Sequence, residues 1–160
     1  MTVFNLSSAA QRSLAAIWFA ASAALASFLF FLKLSMALHG VILYIVLPSL
    51  AAGIAGSIWG GAILDPSRTK SYGQSVLRGL GVSAGAYVIF GLLFGCVSPW
   101  LEGTWSLVQA WNVFLFTLVL GILLGGPLAA AAGIFAGITL FRFGRHLFAE
   151  SGGRPSETTV

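Results

Sequence analysis

Residues with an acidic or basic side chain are few in this chain, and none lies deep inside an apolar stretch. The 160 residues include eight basic and four acidic side chains and two histidines. The charged residues leave four charge-free stretches, 13–32, 34–64, 79–101 and 103–141. Ionisable groups at membrane depth usually mark proton relays, ion pathways or ligand counter-ions. The stretches therefore offer no carboxylate pair and no proton relay.

The histidines and the single cysteine do not form a site in the expected topology. His39 and His146 are predicted to lie on opposite sides of a membrane, so they cannot jointly bind a haem or a metal ion. Cys96 has no second thiol with which to form a disulfide, and its apolar neighbours are typical of a small packing residue. The sequence therefore implies no cofactor.

Residues 81–85, Gly-Val-Ser-Ala-Gly, fit the G-x-S-x-G turn that presents a nucleophilic serine in hydrolases. That turn needs a strand-to-helix elbow and a positioned base. Here the segment lies in the first turns of a predicted membrane helix, and neither histidine is expected near it. We therefore interpret Ser83 as a small packing residue, and we predict that the protein is not an enzyme.

The composition predicts an all-α, polytopic integral membrane protein. Hydrophobic residues make up 58% of the chain, charged residues 8%, and the mean hydropathy is +0.97, whereas a soluble domain carries about 25% charge. A helix that spans a membrane needs about 20 apolar residues. We expect four transmembrane helices in a single domain over 1–148, followed by a mobile cytoplasmic tail over 149–160. The expected helices cover roughly 13–37, 41–64, 78–98 and 111–142.

Basic residues indicate the orientation. With four spans, seven of the eight fall on one side and only Lys33 falls on the other. The positive-inside rule makes the first side cytoplasmic and predicts that both termini lie there. The expected location is a bacterial inner membrane or an energy-transducing membrane. The seven are Arg12, Arg68, Lys70, Arg78, Arg142, Arg145 and Arg154.

Aromatic and basic residues near the span ends are expected to anchor the protein at the membrane surface. Trp100, Trp105 and Trp111 surround the second outer loop, where tryptophan favours the headgroup zone. Lys33 can extend to the headgroups, and Arg142 and Arg145 form a short basic collar. Segment 100–111 has one apolar and one polar face. It is either a helix lying in the outer interface or the solvated first turns of a long fourth helix.

Prolines inside two stretches predict kinks. Pro48 lies in the second span, and Pro127 follows Gly125-Gly126 in the fourth. The sequences after the two prolines are similar, at an offset of about 80 residues, which would fit two parallel two-helix repeats. The alternative is that Ala/Gly-rich helices resemble one another by composition.

Ten of the twenty glycines occur in pairs four residues apart. Small residues one turn apart allow a second helix to approach closely, and close packing drives helix association in lipid. We expect most of these glycines to pack inside the bundle, while some stripe could face a partner. The pairs are Gly56/Gly60, Gly81/Gly85, Gly91/Gly95, Gly121/Gly125 and Gly133/Gly137.

These features favour a small non-catalytic membrane protein that acts as an accessory, assembly or stabilising subunit of a larger complex. The alternative is an oligomeric channel or transporter for a small neutral or weakly polar solute. Expected partners are membrane lipids and either other membrane subunits or further copies of the chain. Nucleic acid is not expected, since the basic residues flank the spans. A channel would have few polar groups available: Ser57, Ser83, Tyr87, Thr117 and Thr139.

Overall fold

The computed structural model describes residues 8–31, 38–65 and 68–152, and within these ranges the chain is helical with no strands. Four helices are long and apolar enough to cross a membrane, which confirms the predicted all-α architecture with four candidate spans. This suggests an integral membrane protein. The candidate spans are Ala9–Leu29, Leu43–Leu64, Tyr72–Leu101 and Gly126–Arg145. Lys33 and the predicted tail beyond residue 152 lie outside the described residues.

The elements follow one another with short connections. Helix α1 covers Ser8–Phe31, and the second span runs from Leu38 to Leu64 in several pieces. These pieces are α2 (Leu38–Val41), a π-helical turn (Ile42–Val46), α3 (Leu47–Ala55), a second π-helical turn (Gly56–Gly60) and α4 (Gly61–Leu64). The remaining helices are α5 (Tyr72–Leu101), α6 (Leu107–Leu124) and α7 (Gly126–Gly152).

The second span is irregular next to its proline. Pro48 is in the first turn of α3, directly after the π-helical turn Ile42–Val46. Proline has no backbone N–H, so Pro48 cannot donate the usual helical hydrogen bond to the residue four positions earlier. A wider π-type turn is a known response to such an interruption.

The fourth stretch forms two helices instead of the one helix expected over 111–142. α6 ends at Leu124, α7 begins at Gly126, and Gly125 lies between them. The amide of Gly125 donates to the carbonyl of Gly121 (2.7 Å), and that of Ala129 donates to Gly125 (2.9 Å), so hydrogen bonding continues across the break. Pro127 lies in the first turn of α7, where the missing donor is tolerated. The break is thus centred two residues before the predicted kink.

A surface helix over 100–111, one of the two alternatives for that segment, does not form. α5 continues to Leu101, and residues 102–106 make a turn in which Gly103 has a φ of 69°. The side chain of Ser106 then caps α6 by accepting a hydrogen bond from the amide of Gln109. Residues 107–111 are the first turns of α6, which ends at Leu124, so only this part of the segment matches the other alternative, the first turns of a long fourth helix. The duplicated hairpin stays a prediction.

α6 and α7 lie end to end along α5 and run antiparallel to it. α7 packs on the first half of α5, where the Tyr72 and Phe141 rings meet edge to face at 5.1 Å. α6 packs on the second half. Ser83 contacts Ala129 on α7, and Tyr87 contacts Thr117 on α6. The two contact residues on α5 are four positions apart, whereas their two partners are twelve positions apart. The chain around Gly125 must therefore bulge away from α5.

Apolar packing is densest at one end of the bundle, which we call the packed end. There α1, α4, α5 and α7 enclose Ile63, Leu64, Leu140 and Phe141, each at most 5% exposed. The core continues along α1 and α3 through small residues such as Ala15 and Ala55. At the other end α6 contacts chiefly α5, so the helices there enclose less of the interior.

Candidate ligand-binding cleft in the helix bundle

A cavity of about 610 Å³ lies in the middle of the bundle, above the packed end. α1 forms one side of this central cleft and α6 the other, while α3 and α5 form its floor and the start of α7 its inner end. Pockets that bind small molecules usually measure about 300–1,000 Å³. The central cleft is therefore large enough for a ligand.

The cleft follows from the bulge at the α6–α7 break. Gly121, Gly125 and Leu128 line it, because the chain that leaves α5 at this point forms part of its wall. Phe116 and Leu128 also line it and are 65% and 39% exposed. The cleft is thus accessible from the side of the bundle that carries α6. Its inner end is closed by the packed core.

Hydroxyl groups provide most of the polarity of the cleft, and three of them donate to backbone carbonyls. Ser22 donates to Trp18 (2.8 Å), Ser83 to Ala129 (2.8 Å) and Tyr87 to Thr117 (2.6 Å). The latter two bonds connect α5 to α7 and to α6 on either side of the break. A hydroxyl oxygen that donates its proton still accepts hydrogen bonds. Ser22, Ser83 and Tyr87 therefore remain available as acceptors.

Charge is missing from the lining of the cleft. No Asp, Glu, Lys, Arg or His is among the lining residues, and the part of the chain that the structure describes contains no group of His, Cys, Asp or Glu able to hold a metal ion. A charged ligand would lose its hydration without gaining an opposite charge. The lining is suited to a neutral molecule.

Ser83 lies within a continuous helix, not at a strand-to-helix elbow. α5 runs from Tyr72 to Leu101, and the Ser83 hydroxyl is held by the carbonyl of Ala129 on α7. The structural context that the G-x-S-x-G motif requires in hydrolases does not occur at this position.

Eight of the ten paired glycines face another helix of the same chain. A Cβ at Gly56 would be 2.9 Å from the carbonyl oxygen of Ala15 on α1, and one at Gly95 would be 2.7 Å from that of Ala110 on α6. Gly81 faces open space, and Gly125 meets only a carbonyl of its own chain segment. The other contacts pair Gly60 with Ala15, Gly85 with Trp59, Gly91 with Phe114, Gly121 with Tyr87, Gly133 with Gly79 and Ser83, and Gly137 with Ser75 and Gly79.

Gly79 is the centre of the closest helix approach, and the sequence reasoning missed it. A Cβ there would clash with the backbone of Gly133, and its distance to the Cα of Gly137 would be 3.3 Å. Gly79 has no glycine four residues away, but Ser75 and Ser83 flank it at that spacing. A search for any small residue at four-residue spacing would have found this stripe.

The predicted surface anchors lie at the two ends of the bundle. Trp100, Trp105 and Trp111 surround the turn between α5 and α6 and are 70%, 56% and 57% exposed. Arg142 and Arg145 are exposed on α7, and the Arg145 guanidinium lies 5.7 Å from the centre of the Phe141 ring. Their contacts with lipid stay a prediction.

Arg78 holds the connection between the second span and α5, a role that its basic character alone did not indicate. Its guanidinium donates to the carbonyls of Ala62 (2.6 Å) and Arg68 (2.9 Å) and to the hydroxyl of Thr69 (2.9 Å). Thr69 is 3% exposed and itself donates to Ala62 (2.7 Å). One side chain thus donates hydrogen bonds both to the end of α4 and to the connecting loop.

Comparisons of the chain with protein-family models, with curated proteins and with solved structures found no match. The class is therefore defined by the fold and the cleft alone. It is a helical bundle with four candidate membrane spans and a neutral cavity at its centre.

Proposed function

We propose that this protein is a non-catalytic membrane protein that holds a neutral, largely apolar molecule in its central cleft, as an accessory subunit of a larger membrane complex. The observation that carries the proposal is the cleft itself, which measures about 610 Å³ between α1 and α6. The described residues that line it are apolar or carry hydroxyl groups, and none of them is charged. We further propose that both termini are cytoplasmic and that the membrane is a bacterial inner or energy-transducing one.

Side access supports a molecule that enters from the lipid. Phe116 and Leu128 are partly exposed on the outer surface of the bundle and also line the cleft. In a membrane this surface faces hydrocarbon, where a neutral apolar molecule is already concentrated. Binding then exchanges lipid contacts for contacts with Ala26, Ala86 and Phe90 without a large cost of desolvation.

Simple binding is favoured over transport by the chemistry of the lining. Proton-coupled transport uses ionisable groups at membrane depth, and no Asp, Glu, Lys, Arg or His among the described residues lines the cleft. A neutral apolar molecule also dissolves in the bilayer without a protein. The channel alternative keeps one observation in its favour, since Ser83, Tyr87 and Thr117 do line the cleft. Phe19, Ala52 and Val82, which belong to both the lining and the core, close its inner end.

A partner subunit would need a surface other than most of the glycine stripes. Eight of the paired glycines already face helices of the same chain, which leaves Gly81 as the predicted packing residue with open space around it. The accessory role thus stays a proposal, and its direct test is purification in mild detergent followed by identification of stoichiometric partner subunits.

Filling the cleft tests the binding proposal. Ala26 lines the cleft on α1, whereas Ala21 is exposed on the same helix. We expect exhaustive detergent washing to lower the unfolding midpoint of the wild type, and an organic extract of the unwashed protein to restore it. A ligand at one hundred times its Kd stabilises the native state by about 2.7 kcal/mol. Ala26→Phe should respond to neither treatment.

Ala21→Phe is the matched control and should respond as the wild type does. General loss of surrounding lipid affects all three proteins alike, so only the difference between the variants reports on the cleft. An Ala26→Phe protein that responds as fully as the wild type would contradict the proposal.

A further inference from the structure

We infer that the molecule held in the central cleft is a lipid-like alcohol, whose hydroxyl group binds at a cluster formed by Ser83, Tyr87 and Thr117. This inference rests on the proposed function and names the class of ligand. The three residues all line the cleft. Ser83 and Tyr87 are one helical turn apart on α5, so they share a face, and Tyr87 reaches the backbone of Thr117 on α6.

Two members of the cluster can only accept hydrogen bonds from a ligand. The hydroxyl protons of Ser83 and Tyr87 are directed to the carbonyls of Ala129 and Thr117, at 2.8 and 2.6 Å. A hydroxyl has one proton to donate and two lone pairs. While these interhelical bonds persist, each oxygen offers acceptor capacity alone.

The third member can donate as well. The hydroxyl of Thr117 makes no hydrogen bond to a described residue, so both its proton and its lone pairs are available. A ligand hydroxyl can donate to Tyr87 while it accepts from Thr117, because the Tyr87 hydroxyl already lies 2.6 Å from the backbone carbonyl oxygen of Thr117. An ether or ester oxygen can use Thr117 only. The cluster thus favours an alcohol over a ligand that only accepts hydrogen bonds.

The remainder of the cleft fits an uncharged apolar body. From Val82 to Phe94 the lining of α5 extends over twelve residue steps, or about 18 Å at 1.5 Å per residue. Ala86, Phe90 and Phe94 provide apolar surface along this length. Since no charged side chain among the described residues lines the cleft, a carboxylate or an ammonium group would find no counter-charge from them.

Three photoreactive probes test the inference in protein embedded in phosphatidylcholine nanodiscs. They are a diazirine derivative of dodecan-1-ol, its methyl ether and the corresponding dodecanoate. After irradiation, peptide mass spectrometry gives the labelled fraction of the α5 and α6 segments that line the cleft. We expect the alcohol to label them about two- to thirteenfold more than the ether, the ratio for one hydrogen bond of about 0.5–1.5 kcal/mol. The dodecanoate should label least.

Two variants locate the effect. Thr117→Val should lower labelling by the alcohol and by the ether, because both accept a hydrogen bond from the Thr117 hydroxyl, and the alcohol should stay ahead of the ether because it still donates to Tyr87. Ser57→Ala is the control, because the Ser57 hydroxyl donates to Ile54 away from the cleft. The comparison of probes on the wild type stands even where a variant folds poorly.

The outcomes separate this inference from the proposed function. Equal cleft labelling by the alcohol and the ether overturns the choice of an alcohol but leaves a neutral ligand in place. Equal labelling of Thr117→Val and the wild type by the alcohol overturns the binding mode. If no neutral probe labels the cleft of the wild type above that of Ala26→Phe, the proposed function fails together with the inference.

Discussion

Ser83 serves the contact between α5 and α7 through both its small size and its hydroxyl group. The hydroxyl donates to Ala129, and the same side chain lies against Gly133. With Ser75 and Gly79 it forms a stripe on which α7 approaches α5 at backbone distance. Dispersion contacts and interhelical hydrogen bonds of this kind hold membrane helices together, because lipid provides little hydrophobic drive.

Gly79→Ala should destabilise the protein, whereas Gly81→Ala should not. A methyl group at Gly79 meets the backbone of Gly133 and Gly137, which cannot move as a flexible side chain could. Overpacking of this kind costs about 1–3 kcal/mol. Gly81, two residues further on, faces open space, so alanine there meets no atom and favours the helix. Thermal unfolding followed by tryptophan fluorescence gives the midpoint of each variant. Equal midpoints for Gly79→Ala and Gly81→Ala would contradict the close helix contact at Gly79.

Arg78→Lys should loosen the connection between the second span and α5. Lysine keeps the charge but lacks the planar fork that reaches Ala62, Arg68 and Thr69 together. We expect a loss of about 1.5–3 kcal/mol, given that a hydrogen bond to a charged group contributes about that much. We also expect faster tryptic cleavage after Arg68. Arg142→Lys makes the same change at an exposed site and should alter neither the stability nor the rate of tryptic cleavage after Arg68. If its effect were as large as that of Arg78→Lys, Arg78 would not hold the connecting loop as described.

At the scale of elements, the break between α6 and α7 is imposed by packing on α5. Each helix is fixed on α5 by its own contacts, and the two registers differ by eight residues across the break. Pro127 alone would only bend one helix. The bulge is the feature that creates space for the central cleft.

Gly121 lies where α6 contacts Tyr87 of α5, so a substitution there tests this contact. A methyl group there would clash with the Tyr87 hydroxyl, which would have to leave the carbonyl of Thr117. We expect Gly121→Ala to cost about 1–3 kcal/mol, and less in a Tyr87→Phe background, since the two changes affect one contact. Gly126→Ala is the control: its Cβ would meet no atom closer than 3.9 Å. Additive effects in the double variant would argue against this contact.

The sequence predicted the kind of fold better than its details, for physical reasons. Charge-free stretches determine the spans, because each needs only enough apolar length. The break at Gly125 depends on where two helices dock on a third, so Pro127 could indicate an irregularity but not its place. Ser83, Tyr87 and Thr117 were recognisable as polar groups in apolar surroundings. That they share one cleft follows only from the placement of five helices.

At the scale of the whole molecule, α6 and α7 lie end to end along α5. In a membrane that α5 crosses once, the two helices together would therefore make one crossing. This fits four crossings, with the turn at 102–106 on one side and the loop at 68–71 on the other. The strong bias of basic residues toward one side fits the same arrangement.

Cysteine labelling in vesicles tests this arrangement in a Cys96→Ala background. Gln74→Cys and Ser151→Cys should react with a membrane-impermeant maleimide from the same side, and Thr104→Cys from the opposite side. The three substitutions leave every charged residue in place. Reaction of Ser151→Cys from the side of Thr104→Cys would show that α6 and α7 cross separately.

Native mass spectrometry of the purified protein tests most directly whether the central cleft holds a small molecule. The wild type and Ala21→Phe should both carry a bound small molecule that remains after release from detergent, while Ala26→Phe should appear at the mass of the chain alone. The same bound mass on Ala26→Phe, or a wild type without any, would contradict the account.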